Sequence, residues 1–156
     1  MTIRIHLAIS FALGAISTFA PSVAAADDEL CRKLAEFALL TPRNTTQWVE
    51  LKNDWPNFSK YCAFNDYEPG KSFCSWLNGN TSTEFMHDNV NRALSCISAE
   101  TSAIGVPKAP DYLTGKYTTY SARHLSADYE VSIEYSIGIQ GQLDSLKISV
   151  TKEDWE

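Results

Sequence analysis

The sequence predicts an α+β fold in which a disulfide-tied helical part of about four helices packs on a C-terminal three-stranded antiparallel β-meander. Three observations predict it. Apolar residues recur at helical spacing in the first two thirds of the chain, a period of two replaces that spacing towards the end, and all four cysteines lie in the helical part. The predicted boundaries are 27–100 for the helices, 101–114 for a linker and 115–152 for the meander.

Residues 1–26 are typical of an export signal. Arg4 supplies a positive charge, an apolar run from Leu7 to Ala20 follows, and Ala24-Ala25-Ala26 offers a small-residue cleavage site. The apolar run is shorter than the roughly 20 residues that span a bilayer. We therefore expect a signal peptide that is removed, a mature domain over 27–156 without stable membrane insertion, and a periplasmic or secreted location.

Two helices are predicted directly after the signal. The first, 28–40, shows about one apolar residue per turn and ends before Pro42. The second, about 45–55, follows Asn44, which is a favourable N-cap in a capping-box pattern. Its apolar stripe consists of Trp48, Leu51 and Trp55.

Two further helices are predicted before the linker. The third is short and lies between the turn signals Glu68-Pro69-Gly70 and Asn78-Gly79-Asn80. The fourth, about 82–98, begins with a capping box made by Thr81 and Glu84 and carries the longest amphipathic stripe of the chain. These helices would supply the cover for the sheet.

Three strands are predicted in the last third of the chain. Apolar and polar residues alternate from 130 to 139, and 146–150 repeats the alternation after a turn at Gly141. A first strand is predicted over 116–122. Because so small a sheet is marginal alone, its apolar face must be covered by the helices, and we expect the two halves to form one domain.

The cysteines Cys31, Cys62, Cys74 and Cys96 form an even set, which in an exported chain predicts two disulfides. If the third and fourth helices form a hairpin, Cys74 and Cys96 lie roughly 15 Å apart along it, too far for a bond. Two arrangements remain. We favour Cys31–Cys74 with Cys62–Cys96, and the alternative is Cys31–Cys96 with Cys62–Cys74.

No catalytic residue, cofactor site or metal site is predicted. Glu84 and His87 lie one helical turn apart, as in metal sites of helix bundles, but no second pair of this kind occurs. His124 lies in a strand connection near Ser126 and Asp128, but no nucleophile-elbow sequence accompanies them. We interpret both groups as surface residues.

The remaining aromatic and charged residues have structural interpretations. Trp48, Trp55 and Trp76 could form a ligand platform, but their positions on helical stripes favour core packing. Asp88 and Arg92 are spaced for an ion pair on one helix. Opposite charges are also predicted to pair across the solvated face of the sheet, among Lys116, Glu130, Glu134 and Lys147.

The charge balance bears on the choice of partner. The chain has 13 Lys and Arg against 19 Asp and Glu, a net charge of −6. Nucleic acid and anionic membranes need a basic footprint, which is missing, whereas a basic protein would be attracted. We therefore expect a non-enzymatic exported binding protein of the inhibitor or immunity type that neutralises a basic, envelope-directed protein.

Three other functions stay open from the sequence. A small-molecule or glycan-binding protein would use a pocket between the helices and the sheet. A small secreted hydrolase could hide its carboxylates among the many acids of the chain. A structural component of the envelope would associate with a larger assembly.

Overall fold

A computed structural model of the chain describes residues 28–98 and 113–154. Its three helices are α1 (Glu29–Leu40), α2 (Glu68–Asn80) and α3 (Met86–Ile97). Its five strands are β1 (Thr45–Asp54), β2 (Ser59–Phe64), β3 (Leu113–Thr119), β4 (Tyr129–Ile137) and β5 (Asp144–Lys152). The predicted signal, Trp155 and most of the predicted linker lie outside the described residues.

The five strands form one antiparallel sheet in the order β2-β1-β5-β4-β3. The three helices pack against one face, and the apolar residues between the two layers make a continuous core. The fold is thus α+β, as predicted. The more detailed prediction, about four helices on a three-stranded meander, is wrong because the sheet gains two strands from the N-terminal part and the helical layer loses one helix.

The predicted second helix is in fact strand β1. It pairs with β2 on one side and with β5 on the other. Val49 and Leu51 are fully buried on the helical side of the sheet, whereas Trp48 lies on the opposite side. The helical spacing of the apolar residues was coincidental, because two neighbouring strands satisfy the backbone of a segment rich in Thr, Trp and Val. Asn44 is not an N-cap, since its φ is 55° and its N–H donates to the carbonyl of Lys152.

The third and fourth predicted helices exist with different bounds. α2 already begins at Glu68, because Pro69 fits the first turn of a helix, where its missing N–H is not needed. α3 begins at Met86, four residues later than predicted. The capping box expected at Thr81 is not formed, since the hydroxyl of this residue donates back to the carbonyl of Leu77 at 2.6 Å.

The first helix and the C-terminal strands follow the prediction closely. α1 is capped by Asp28, whose carboxylate accepts the N–H of Leu30 at 3.0 Å. β3, β4 and β5 are consecutive antiparallel neighbours, as expected for a meander. The alternation in β4 places Val131 and Ile133 in the core.

The disulfides are Cys31–Cys96 and Cys62–Cys74, with Cα–Cα distances of 5.0 and 5.3 Å. The favoured arrangement, Cys31–Cys74 with Cys62–Cys96, is wrong because Cys62 does not follow a helix but lies on β2, against which α2 packs. Two disulfides indicate an oxidising, extracellular compartment. Within 28–98 and 113–154, no helix is long and apolar enough to span a membrane.

Candidate functional site

The turn that joins β1 to β2 holds two large aromatic side chains in solvent. It comprises residues 55–58, and the N–H of Phe58 donates to the carbonyl of Trp55 at 3.0 Å. Pro56 restricts the backbone, and the carboxylate of Asp54 accepts the backbone N–H of Asn57 at 3.3 Å and its side-chain amide at 2.8 Å. The turn is therefore fixed by its own residues.

Phe58 has an unfavourable backbone conformation at the end of this turn. Its φ is 47°, in the left-handed region where glycine is the usual residue and where a bulky side chain costs about 1–2 kcal/mol. Its side chain gains little burial in return, since 68% of the residue is exposed, and Trp55 is 48% exposed. The two ring centroids lie 4.8 Å apart. In this conformation the paired rings of Trp55 and Phe58 lie outside the core.

A third exposed aromatic residue, Phe85, lies at the same end of the molecule. It belongs to the loop between α2 and α3 and is 49% exposed. The amide of Asn53 donates to the carbonyls of Ser82 and Thr83, at 3.1 and 2.9 Å, and thereby fixes this loop beside the end of β1. The loop and the β1–β2 turn are thus parts of one surface.

Two further side chains form hydrogen bonds with the backbone of this loop. Asn89 of α3 is buried, accepts the N–H of Ser82 at 2.8 Å and donates to the carbonyl of the same residue at 2.8 Å. The Lys60 ammonium donates to the carbonyl of Thr81 at 2.5 Å. Burial lowers the pKa of Lys60, which fits an ammonium used for structure and not for display to solvent.

The turn between β4 and β5 completes the surface. Asp144, the first residue of β5, is paired with Asn53 near the end of β1, so the preceding Leu143 lies at the same end of the sheet. Leu143 is also partly exposed. We call this surface the aromatic end and define it by Trp55, Phe58, Phe85 and Leu143.

Carboxylates predominate among the charged groups around the aromatic end. Asp54 supports the β1–β2 turn, Asp144 accepts the N–H of Gly138 at 2.7 Å, and Glu84 and Asp88 flank Phe85 in sequence. The nearby cation Lys60 is directed towards a backbone carbonyl, as described above. Carboxylates therefore outnumber ammonium groups near the aromatic end, where Lys52 also pairs with Glu50 at 3.2 Å.

A second surface of interest, which is concave, lies between α1 and α2. It is a solvent-open groove of about 650 Å³. Its apolar lining comprises Phe37, Leu40, Pro69, Phe73 and Trp76, and its polar lining comprises Lys33, Glu36, Glu68, Ser72 and Ser75. This groove lies between two helices and not between the helices and the sheet.

The face of the sheet away from the helices is polar. The strand register places opposite charges in one row across four strands, formed by Lys116, Glu134, Lys147 and Glu50. The Lys147 ammonium also lies 5.1 Å from the centre of the Trp48 ring. The register agrees with the predicted pairing for Lys116, Glu134 and Lys147, but the predicted Glu130 faces Thr151 and accepts a hydrogen bond from Tyr120.

Trp48 and Trp55 are not core residues, contrary to the expectation, whereas Trp76 is half-buried and packs against the core. Trp48 lies on the polar face, Trp55 on the aromatic end and Trp76 in the groove, and each retains solvent exposure. Two of the three were assigned to a helix that does not exist. The two surfaces described above are therefore built around residues that the sequence had suggested were buried.

The groups weighed for metal binding or catalysis are surface residues. His87 lies 3.1 Å from Asp88, and its ring meets that of Phe85 at an angle of 67°. The Ser126 hydroxyl donates to Asp128 at 3.3 Å in an exposed loop. Among the described residues, no group of three or more His, Cys, Asp or Glu side chains is placed to hold a metal ion. All four cysteines are in disulfides.

Arg92 does not form the expected pair with Asp88. Its guanidinium instead donates two hydrogen bonds of 2.8 Å to Asp28 and one of 2.9 Å to the carbonyl of Asn80. It therefore joins the start of α1, the end of α2 and the middle of α3. The spacing within one helix could not reveal this longer-range partner.

Comparison with family models, with curated proteins and with solved structures gave no match. The function must therefore be argued from the two surfaces themselves.

Proposed function

We propose that this protein is an exported binding protein of the inhibitor or immunity type, which uses the aromatic end to engage a basic protein partner. The conformation of Phe58 carries this proposal. A phenylalanine occupies a left-handed position that glycine would fill with less strain, and most of its ring is exposed. Strain of this kind persists mainly where the displayed side chain has a use.

The chemistry of the aromatic end suits a protein partner. Binding energy at protein interfaces is concentrated in a few aromatic anchors that enter pockets of the partner. Trp55 and Phe58 are held in a turn that is fixed by Pro56 and Asp54, so little conformational entropy is lost when they are buried. Phe85 and Leu143 are further exposed apolar side chains at the same end of the sheet.

The charge of the chain supports a basic partner. The net charge is −6, and carboxylates predominate on the rim of the aromatic end. Complementary charge accelerates encounter and orients the two proteins, and its effect weakens as salt rises. An envelope-directed protein in the periplasm, or a secreted one, would meet this chain in the oxidising compartment that its disulfides require.

The proposal is tested by capturing partners from envelope and secreted fractions with the oxidised protein at low and moderate salt. Wild type is compared with Trp55→Ala combined with Phe58→Ala, and with Leu39→Ala as a matched control, since Leu39 is exposed on α1 at 58%. We expect one basic protein in a constant ratio to wild type and to the control, retained less at higher salt and absent from the double variant.

Two outcomes contradict the proposal. If the double variant captured the partner as well as wild type does, the aromatic end would not be part of the interface. If only acidic proteins were captured, or no protein in a constant ratio, the proposal of a basic protein partner would be wrong. Thermal unfolding of each variant shows that the comparison is made between folded proteins.

A further inference from the structure

The groove between α1 and α2 is built by two antiparallel helices. The hydroxyl of Tyr67, which precedes α2, donates to the carbonyl of Leu40 at the end of α1. At the other end of the pair, Arg92 bridges Asp28 before α1 and Asn80 at the end of α2. Both ends of the helix pair are thus fixed, and the groove between them is preformed.

Aromatic rings make the floor and one wall of this groove. Phe37 and Phe73 are almost fully buried, and their rings stack with centroids 5.4 Å apart and planes inclined by 29°. Trp76 continues the series, 6.5 Å from Phe73 with planes inclined by 21°. Leu40, which is 60% exposed, forms part of the opposite wall. Trp76, which is half-buried, is the ring of this series that an aromatic molecule can reach and stack upon.

The charges around the groove already neutralise one another. The Lys33 ammonium lies 2.7 Å from Glu36, and the Lys71 ammonium lies 3.3 Å from Glu68. A charged ligand would have to compete with these pairs, whereas an uncharged one leaves them intact. The rim therefore favours a neutral molecule.

Two hydroxyl groups give the groove a polar handle. Ser72 and Ser75 line it from α2 and are exposed. Within the described part of the chain, neither hydroxyl has a hydrogen-bond partner in the protein, so each is free to bind a donor or acceptor of a ligand. Apolar pockets with a few such polar groups are the usual form of small-molecule sites.

We propose that this groove binds a small uncharged molecule with one or two flat aromatic rings and a hydrogen-bonding group. Its volume of about 650 Å³ lies within the range of small-molecule sites. The rings of the ligand would stack on the half-buried Trp76, and its polar group would reach Ser72 or Ser75. This site is separate from the aromatic end and does not depend on the proposed protein partner.

The test uses N-phenyl-1-naphthylamine, an uncharged aromatic amine whose fluorescence rises in apolar surroundings. We expect saturable binding to one site of the oxidised protein, with quenching of tryptophan fluorescence that is smaller in Trp76→Phe. Ser72→Trp should fill the groove and weaken binding by about tenfold or more. The matched control Asn78→Trp, an exposed position of α2 outside the lining, should stay within about twofold of wild type.

A second pair of variants protects the test against misfolding of Ser72→Trp. Leu40→Glu places a charge on the groove wall at an exposed position, and Leu39→Glu places the same charge just outside the lining. Only Leu40→Glu should weaken binding of the probe. The proposed site would be wrong if the probe bound without saturation, or if each variant and its control bound the probe with equal affinity. An anionic analogue, 8-anilinonaphthalene-1-sulfonate, binding as tightly as the neutral probe would overturn the preference for an uncharged ligand.

Discussion

Arg92 of α3 holds the carboxylate of Asp28 through two hydrogen bonds of 2.8 Å, although the two residues are 64 positions apart in sequence. Asp28 also caps α1, so one carboxylate satisfies the first turn of one helix and the guanidinium of another. The hydrogen bonds from Arg92 lower the pKa of Asp28, an effect that outweighs the opposing desolvation. The relationship fixes how α1 and α3 meet.

Breaking this pair should destabilise the fold. Because both side chains are partly exposed, solvent screening limits the expected loss in free energy of unfolding to about 1–2 kcal/mol for Arg92→Met. A double-mutant cycle with Asp28→Asn, measured by urea unfolding at neutral pH, isolates the coupling between the two residues. Additive effects of the two substitutions would contradict a direct interaction.

The same pair predicts a dependence of stability on pH. The pKa of Asp28 is lower in the folded protein than its usual value of 3.8, so its contribution is complete above that value and is lost as pH falls through the folded pKa. The difference in free energy of unfolding between wild type and Asp28→Asn should therefore be constant from pH 7 to about 5 and shrink under more acidic conditions. A difference that grew on acidification would contradict the assignment.

The two disulfides should contribute unequally. They close loops with sequence separations of 65 and 12 residues, and the loss of chain entropy in the unfolded state grows with loop length. Replacing Cys31 and Cys96 by Ala should cost about 1.5 kcal/mol more than replacing Cys62 and Cys74. Denaturant unfolding of the two double variants measures the difference in free energy of unfolding. The reverse order of stability would contradict the prediction.

Removing the side chain of Phe58 should leave the fold intact. Phe58→Gly relieves the left-handed strain and loses only exposed ring contacts, so we expect the free energy of unfolding to change by less than about 1 kcal/mol. Phe58→Ala keeps the strain and should be less stable than the glycine variant by about 1 kcal/mol. A loss above about 2 kcal/mol in the glycine variant would show that Phe58 serves the fold and not a partner.

Asn89 should be needed to hold the loop that carries Phe85. Asn89→Leu leaves the N–H of Ser82 without its partner, whereas the carbonyl of Ser82 keeps its hydrogen bond from Asn53, and we expect a loss in free energy of unfolding of about 1–3 kcal/mol. Hydrogen exchange at the Ser82 amide should accelerate more than exchange in the core of β5. Uniform acceleration across both regions would indicate global unfolding and contradict a local role.

The sequence predicted the elements whose signals are local. α1 has a capping residue, an apolar stripe and a terminating proline, and β4 has strict alternation. These signals do not depend on what the element packs against, so their bounds were nearly correct. The even number of cysteines in the same way predicted two disulfides but not their pairing.

Long-range pairing decided the features that the sequence did not reveal. β1 carries apolar residues that fit a helical period, and only its pairing with β2 and β5 makes it a strand. This error concealed the candidate site, because Trp55, the first residue of the turn, was assigned to the end of a helix. Proline and asparagine between two runs rich in β-formers were the local signal that could have revealed the turn.

The most direct test of the proposed binding role places a photo-crosslinking residue at the aromatic end. We would introduce p-benzoylphenylalanine at Phe58 and, as a control, at Leu39, and irradiate the oxidised protein in envelope and secreted fractions. We expect one crosslinked basic protein from position 58, lost at high salt, and none from position 39. The same crosslink from both positions, or none from position 58, would contradict it.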